Sequence, residues 1–172
     1  MITLIYGGSS SGKSAYAEDI VCNSQYKNRY YLATMKANDS ESVERIARHR
    51  SLREGKEFIT LEQPVDIANT INQDSDGIIL LECMSNLVAN EMFRDGQIKS
   101  EKSIVDKVLK DIKELESKVS SLVIVTNDIF EDGISYDDTT KEYLRALGKI
   151  NAEIAKMAAR SVEVVVGIGV ER

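Results

Sequence analysis

Two stretches of this chain combine residue types and spacings suited to chemistry on phosphate. The first reads Gly7-Gly8-Ser9-Ser10-Ser11-Gly12-Lys13-Ser14 and fits the phosphate-loop pattern G-x4-G-K-[ST]. Its small residues let the backbone wrap closely, so that N–H groups face phosphate oxygens at a helix N-terminus. Lys13 places a cation on the β- and γ-phosphates, and Ser14 offers a hydroxyl to Mg²⁺. A glycine- and serine-rich loop can match by chance, and the flanking elements discriminate. Ile2 to Tyr6 is apolar or β-prone and predicts a buried strand, while Ala15 to Val21 suits a helix.

The second stretch, Arg45 to Arg53, reads RIARHRSLR, with four arginines around His49, the chain's one histidine. Arg45, His49 and Arg53 stand at i, i+4 and i+8 and share one helix face. Val43, Ile46 and Ala47 fall on another face and would dock the helix. Arginine forks pair with phosphate oxygens, and an imidazole among them can act as a nucleophile towards phosphorus. The arginines also disfavour the imidazolium, leaving a lone pair free. A solvated basic face paired with Asp39, Glu41 and Glu44 gives the same spacing, and spacing alone leaves both readings open. A third candidate is Glu82, which ends the run GIILLE. An acid at that place in nucleotide-binding α/β folds often holds Mg²⁺; a solvated strand-end acid is the plainer alternative.

These groups need a frame, and the chain predicts one. Strands are expected at Arg29–Thr34, Phe58–Leu61, Gly77–Glu82, Leu122–Thr126 and Val162–Ile168, after the first at Ile2–Tyr6. Helices are expected over Lys13–Gln25, from a cap at Asn38 to Glu54, over Val65–Asn72 behind Pro64, and over Asn86–Phe93, Ser100–Lys118 and Asp138–Ala159. Asn38 with Glu41 reads as a capping box, and a loop is expected through Asp132-Gly133. Continuous apolar strands alternating with helices predict an α/β fold: a mainly parallel sheet with helices on both faces, in a single nucleotide-binding domain over residues 1–172. Ligands sit at the carboxyl ends of such strands, where the loop, Thr34, Glu82, Thr126 and Asn127 would converge.

Bulk properties narrow the class. The 172 residues are 42% apolar and 29% charged, ordinary for a globular domain. A net charge of −6 argues against a nucleic-acid partner. Cys22 and Cys83 form no C-x-x-C and read as core residues in a reducing compartment. No signal peptide and no membrane-spanning run is legible, so a cytoplasmic protein is expected.

With these motifs in hand, the chain resembles the bifunctional adenosylcobinamide kinase / adenosylcobinamide-phosphate guanylyltransferase family of coenzyme B12 biosynthesis. The likeness rests on GGSSSGKS, YLATMKANDSESVERIARHRSLR, ILLECMSNLVAN, VTND followed by GI, and LGKINAEIAKMAARSVEVVVGIG, in order and spacing over nearly the whole chain. It implies a P-loop NTPase-like fold and two reactions. A nucleoside triphosphate, ATP or GTP, phosphorylates adenosylcobinamide, and GTP then gives GMP to adenosylcobinamide phosphate through a GMP-histidine intermediate. His49 matches that histidine, with Lys13 as the second catalytic residue. The phosphate loop from Gly7 to Ser14, Thr34, Arg50, Arg53, Glu62 and Glu82 are implied to bind nucleotide, and Ser14 and Glu82 to hold Mg²⁺. Known members resemble homotrimers. The chain departs from the family pattern between Asn127 and Tyr136, on the expected corrinoid-binding loop, where an acid is shortened, a glycine is absent and Tyr136 replaces proline. Two other readings remain: an ordinary P-loop small-molecule kinase or NTPase without a covalent histidine, and a nucleotide-binding regulatory module with little turnover.

Overall fold

The apolar runs are too short for helices and rich in Ile, Leu and Val, so they form strands, and strands buried on both faces can be apolar at every position. In the computed structural model, which describes residues 1–71, 75–130 and 133–172, they build one sheet. In chain order the elements are β1 (Ile2–Gly7), α1 (Lys13–Cys22), β2 (Asn28–Ala33), α2 (Ser40–Leu52), β3 (Ile59–Glu62), β4 (Ser75–Glu82), α3 (Met84–Met92), α4 (Glu101–Ser117), β5 (Val119–Asn127), α5 (Asp138–Met157), β6 (Arg160–Val165) and β7 (Ile168–Glu171). Asn72, the expected end of one helix, and Asp132, in the expected loop, lie outside the described residues.

Among the described residues the sheet has seven strands in the order β3-β2-β4-β5-β1-β6-β7. All neighbours are parallel except β6 and β7. Alternation along each strand feeds two cores. Ile79, Leu81, Leu122 and Ile124 face α3, α4 and α5, while Ile78, Leu80, Val123 and Val125 face Ala17 and Val21 of α1. Each fully buried Ile or Leu contributes about 1.5–3 kcal/mol. The long helices follow their apolar spacing: Ile104, Val108, Ile112 and Leu115 are the buried stripe of α4, and Ala146, Leu147, Ile150 and Ile154 that of α5. Caps fix their starts, Ser100 accepting from Ser103 N–H and Asp137 from Thr140 N–H. Among the described residues no helix is long and apolar enough to cross a membrane.

Three expectations are corrected. The last strand is a hairpin: Val166 and Gly167 both have positive φ, 50° and 78°, so the chain reverses and Val165 pairs with Ile168. The helix expected after Pro64 is a single 3-10 turn, Ile67–Asn69. Asp66 takes a left-handed conformation there, and its carboxylate is held by Arg94 at 2.6 Å and Lys107 at 2.9 Å. The cap of α2 is Asp39 rather than Asn38, and its box partner is Ser42 rather than Glu41: Ser42 N–H donates to Asp39 Oδ1 at 2.7 Å, and Asp39 N–H donates to Ser42 Oγ at 3.0 Å.

Candidate active site

The parallel register brings the ends of β1, β5 and β4 together. Gly7 lies opposite Asn127, and Val125 opposite Glu82. The chain leaves β1 at Gly7, wraps through exposed Gly8, Ser9 and Ser10, and enters α1 at Lys13. Gly12 caps that helix with φ 87° and no side-chain cap, so the first N–H groups of α1 are left for an anion. The β6–β7 turn backs the loop, with Gly167 N–H donating to Ser11 C=O at 2.7 Å. A Cβ on Gly12 would lie 3.0 Å from Gly167 Cα, and one on Gly7 2.5 Å from Val164 C=O. The loop is thus a preformed cradle rather than a chance glycine run.

Inside it Lys13 is buried, and its Nζ donates to Gly8 C=O at 2.9 Å. Burial pulls its pKa below the ordinary lysine value, against the opposing charge of Glu82. Ser14 Oγ donates to Glu82 Oε1 at 3.0 Å. The other oxygen, Glu82 Oε2, is buried without a hydrogen-bond partner. Burial raises the Glu82 pKa to about 7, with the Ser14 hydrogen bond and then Lys13 pulling the other way. A hydroxyl beside an orphaned carboxylate oxygen is the donor set of a hard divalent cation, so Ser14 and Glu82 suit Mg²⁺.

Glu82 also lines a second space. A cavity of about 260 Å³ opens between α2 and the ends of β2, β3 and β4, with His49, Arg50, Arg53, Glu62, Tyr31 and Glu82 among its walls. Burial, then the charge of Arg53, holds the His49 pKa below its ordinary 6.5, with smaller pushes from Arg45 and Arg48 and an opposing pull from Glu18. The same influences favour the neutral imidazole, the form with a lone pair available. Arg53 is 7% exposed, and its guanidinium carbon lies 3.5 Å from the centroid of the Tyr31 ring. Its Nη1 is buried without a hydrogen-bond partner. Arg50 forms an ion pair with Glu62 at the cavity rim.

The structure divides the residues expected from sequence. His49, Arg50 and Arg53 meet Glu62 and Glu82, and Glu82 meets the loop through Ser14. Arg45 turns away and pairs with Glu41 at 2.5 Å. Val43, Ile46 and Ala47 do not dock α2 on the core: no residue of α2 is buried, and all three line the same cavity as His49. Thr34 is fully buried. Its hydroxyl donates to Cys83 C=O and accepts from Cys83 N–H, each at 2.8 Å, so in this structure it locks β2 to the end of β4. Thr126 Oγ1 bonds Asn151, and Asn127 Nδ2 donates to Ser85 Oγ at 2.7 Å beside the loop. Tyr31, the platform for Arg53, carried no sequence signal beyond its strand.

Comparison with known proteins fits this arrangement. The family described as cobinamide kinase / cobinamide phosphate guanyltransferase matches residues 3–171. The bifunctional adenosylcobalamin biosynthesis protein CobU of Escherichia coli is 28% identical over 182 residues, spanning 99% of each chain. CobP of Pseudomonas aeruginosa, which bears the same description, is 27% identical over 172 residues, 98% of this chain and 95% of that one. Among solved structures, an ATPase from the type III secretion system of pathogenic bacteria superposes with a TM-score of 0.56 at 11% identity, covering 99% of this chain and 56% of that one. That likeness speaks to the P-loop α/β fold alone. The chain belongs to the cobinamide kinase / cobinamide phosphate guanyltransferase family, enzymes that are both kinases and nucleotidyltransferases.

Proposed function

We propose that this protein phosphorylates adenosylcobinamide and then transfers GMP from GTP to adenosylcobinamide phosphate, with His49 carrying the GMP between them, in cobalamin biosynthesis. The observation that carries the reading is the double membership of Glu82. Its carboxylate accepts from Ser14 of the phosphate loop and also lines the cavity that holds His49. A triphosphate held by the loop from Gly7 to Ser14 therefore lies next to the imidazole's cavity.

In the guanylyl step the His49 lone pair attacks the α-phosphorus of GTP. The bond from that phosphorus to the bridging oxygen breaks, and pyrophosphate leaves with the electron pair. The imidazole loses its N–H proton to solvent as the second nitrogen becomes neutral. A phosphate oxygen of adenosylcobinamide phosphate then displaces the histidine, whose departing imidazole takes a proton back from solvent, giving adenosyl-GDP-cobinamide and free neutral His49. Two transfers through a covalent carrier replace one harder displacement. Arg53, with an unpaired buried N–H, and Arg50 are placed to steady the α-phosphate oxygens. Lys13 offsets charge on the departing phosphates. Ser14 and Glu82 would hold Mg²⁺, which when bound would supply further charge neutralisation on those phosphates. In the kinase step the same cradle presents the γ-phosphorus to the acceptor hydroxyl. The family likeness extends the proposal to a cytoplasmic homotrimer, a state that light scattering reads directly.

The test is incubation with α-labelled GTP and Mg²⁺. Wild-type protein is expected to take up acid-labile, base-stable label, and His49→Asn none. Wild-type protein that binds GTP yet stays unlabelled across conditions would falsify the histidine route. Phosphorylation of adenosylcobinamide, followed separately, tests the kinase half.

A further inference from the structure

The helix that bears His49 has little to hold it. None of the thirteen residues of α2 is buried, and its first turn is capped by its own Asp39 and Ser42. Its exit is different. Arg53 lies on Tyr31, and the chain then turns, Lys56 N–H donating to Arg53 C=O at 3.0 Å. From that turn the Lys56 ammonium reaches Glu18 Oε2 at 2.5 Å. Glu18 belongs to α1, one helical turn beyond Ser14, and is 5% exposed. A carboxylate so deeply placed needs a compensating charge, and Lys56 supplies it. The charge of Glu18 also reaches Tyr31, Glu82 and His49.

We propose that the Glu18–Lys56 ion pair is a positioning clasp that ties the exit of α2 to the phosphate-loop helix and so sets His49 against the nucleotide. The inference rests on the histidine reading above. Neither residue touches reacting atoms; both act through the placement of the imidazole. An element without buried side chains has its pose decided by a few polar contacts, and this one joins it to the helix that begins at Lys13. A misplacement of about 1 Å at a nucleophile is enough to cost up to about 100-fold in rate.

The clasp has a signature that a merely structural ion pair lacks. It acts on where His49 stands, so its loss slows labelling while the phosphate loop still binds GTP. It also asks only for a cation at position 56 that reaches Glu18, so arginine there keeps the rate and methionine does not.

The experiment is single-turnover labelling by α-labelled GTP with Mg²⁺, alongside GTP affinity. Lys56→Met is expected to label about tenfold more slowly, with GTP affinity within about twofold of wild type. Glu18→Gln is expected to be slowed similarly. Lys56→Arg is expected to stay near wild type. Lys56 is a third exposed, so Lys56→Met decides the matter even where Glu18→Gln fails to fold. Wild-type rate in Lys56→Met, a Lys56→Arg variant as slow as Lys56→Met, or GTP affinity lost in step with labelling would each overturn the clasp alone. A wild-type protein that takes no label overturns the histidine reading, and the clasp falls with it.

Discussion

The phosphate cradle and the histidine helix meet at one carboxylate, yet they are held in opposite ways. The cradle hangs from β1 and β5, whose Ile2, Ile5, Leu122, Ile124 and Val125 have no exposed surface, and its neighbours are fixed by strand register. The helix α2 has no fully buried residue and is held by contacts near its exit and by the ion pair of Arg50 with Glu62. Core strands open only with global unfolding, whereas an element with few buried contacts lies at the low end of local stability. The contrast assigns tasks. Under the proposed mechanism, the group that would grip the polyphosphate is preorganised, and the group that would attack sits on a surface element set by a few charges.

The largest expected effects separate these tasks. Lys13→Ala removes the buried cation from the cradle and is expected to lower both phosphorylation and guanylylation about 100-fold or more. His49→Asn is expected to abolish the protein-bound guanylate while leaving phosphorylation of adenosylcobinamide in place. Assaying both reactions on both variants reads this directly. Kinase turnover lost in His49→Asn would mean that the helix serves both steps, and the division above would be wrong.

Stability should split along the same line. Ile124 is fully buried between the sheet and its helices, so Ile124→Ala is expected to cost about 3–4 kcal/mol in a urea titration. Val43 on α2 is 52% exposed, and Val43→Ala should stay within about 0.5 kcal/mol. A Val43→Ala loss as large as that of Ile124→Ala would show α2 to be packed more firmly than its exposure allows.

Glu82, at the junction, carries a smaller and pH-dependent effect. Its folded-state pKa of about 7 lies above the ordinary 4.5, so the folded protein holds the proton more tightly than the unfolded chain. The contribution to stability is complete below about pH 4.5 and is lost as pH rises towards 7. Glu82→Gln, which has no such proton, should therefore gain on wild type by about 2 kcal/mol between pH 5 and pH 8 in parallel denaturation curves. Equal pH dependence in the two proteins would place the carboxylate in a wetter setting than its unpartnered Oε2 implies.

Much of the frame was legible because it is local. The run ITLIY, the spacing of the phosphate loop and the stripe Ile104-Val108-Ile112-Leu115 each specify their element without help. The hairpin β6–β7 was not, because the apolar run VEVVVGIGV hides a reversal at Val166-Gly167. Thr34 was expected on the nucleotide because it ends a strand at the binding edge. In this structure its hydroxyl bonds the backbone of Cys83, forty-nine positions away, a contact with no local signature. Glu18 and Lys56, thirty-eight positions apart, have no local signature at all; only the fold brings them together.

The arginine ladder shows where periodicity stops informing. Spacing puts Arg45, His49 and Arg53 on one face, and the helix does form, but the surroundings choose among them. Arg53 finds the Tyr31 ring and is buried, while Arg45 finds Glu41 one turn earlier and stays in solvent. An exposed i,i+4 pair is worth little, because water screens it and two long side chains lose freedom to make it. Arg45→Ala is therefore expected to leave the labelling rate within about twofold of wild type and the denaturation midpoint unmoved. Arg53→Ala, which empties the cavity wall and uncovers Tyr31, should slow labelling at least about tenfold. Equal losses in the two variants would restore the ladder as a unit, with Arg45 swinging inward once nucleotide is bound.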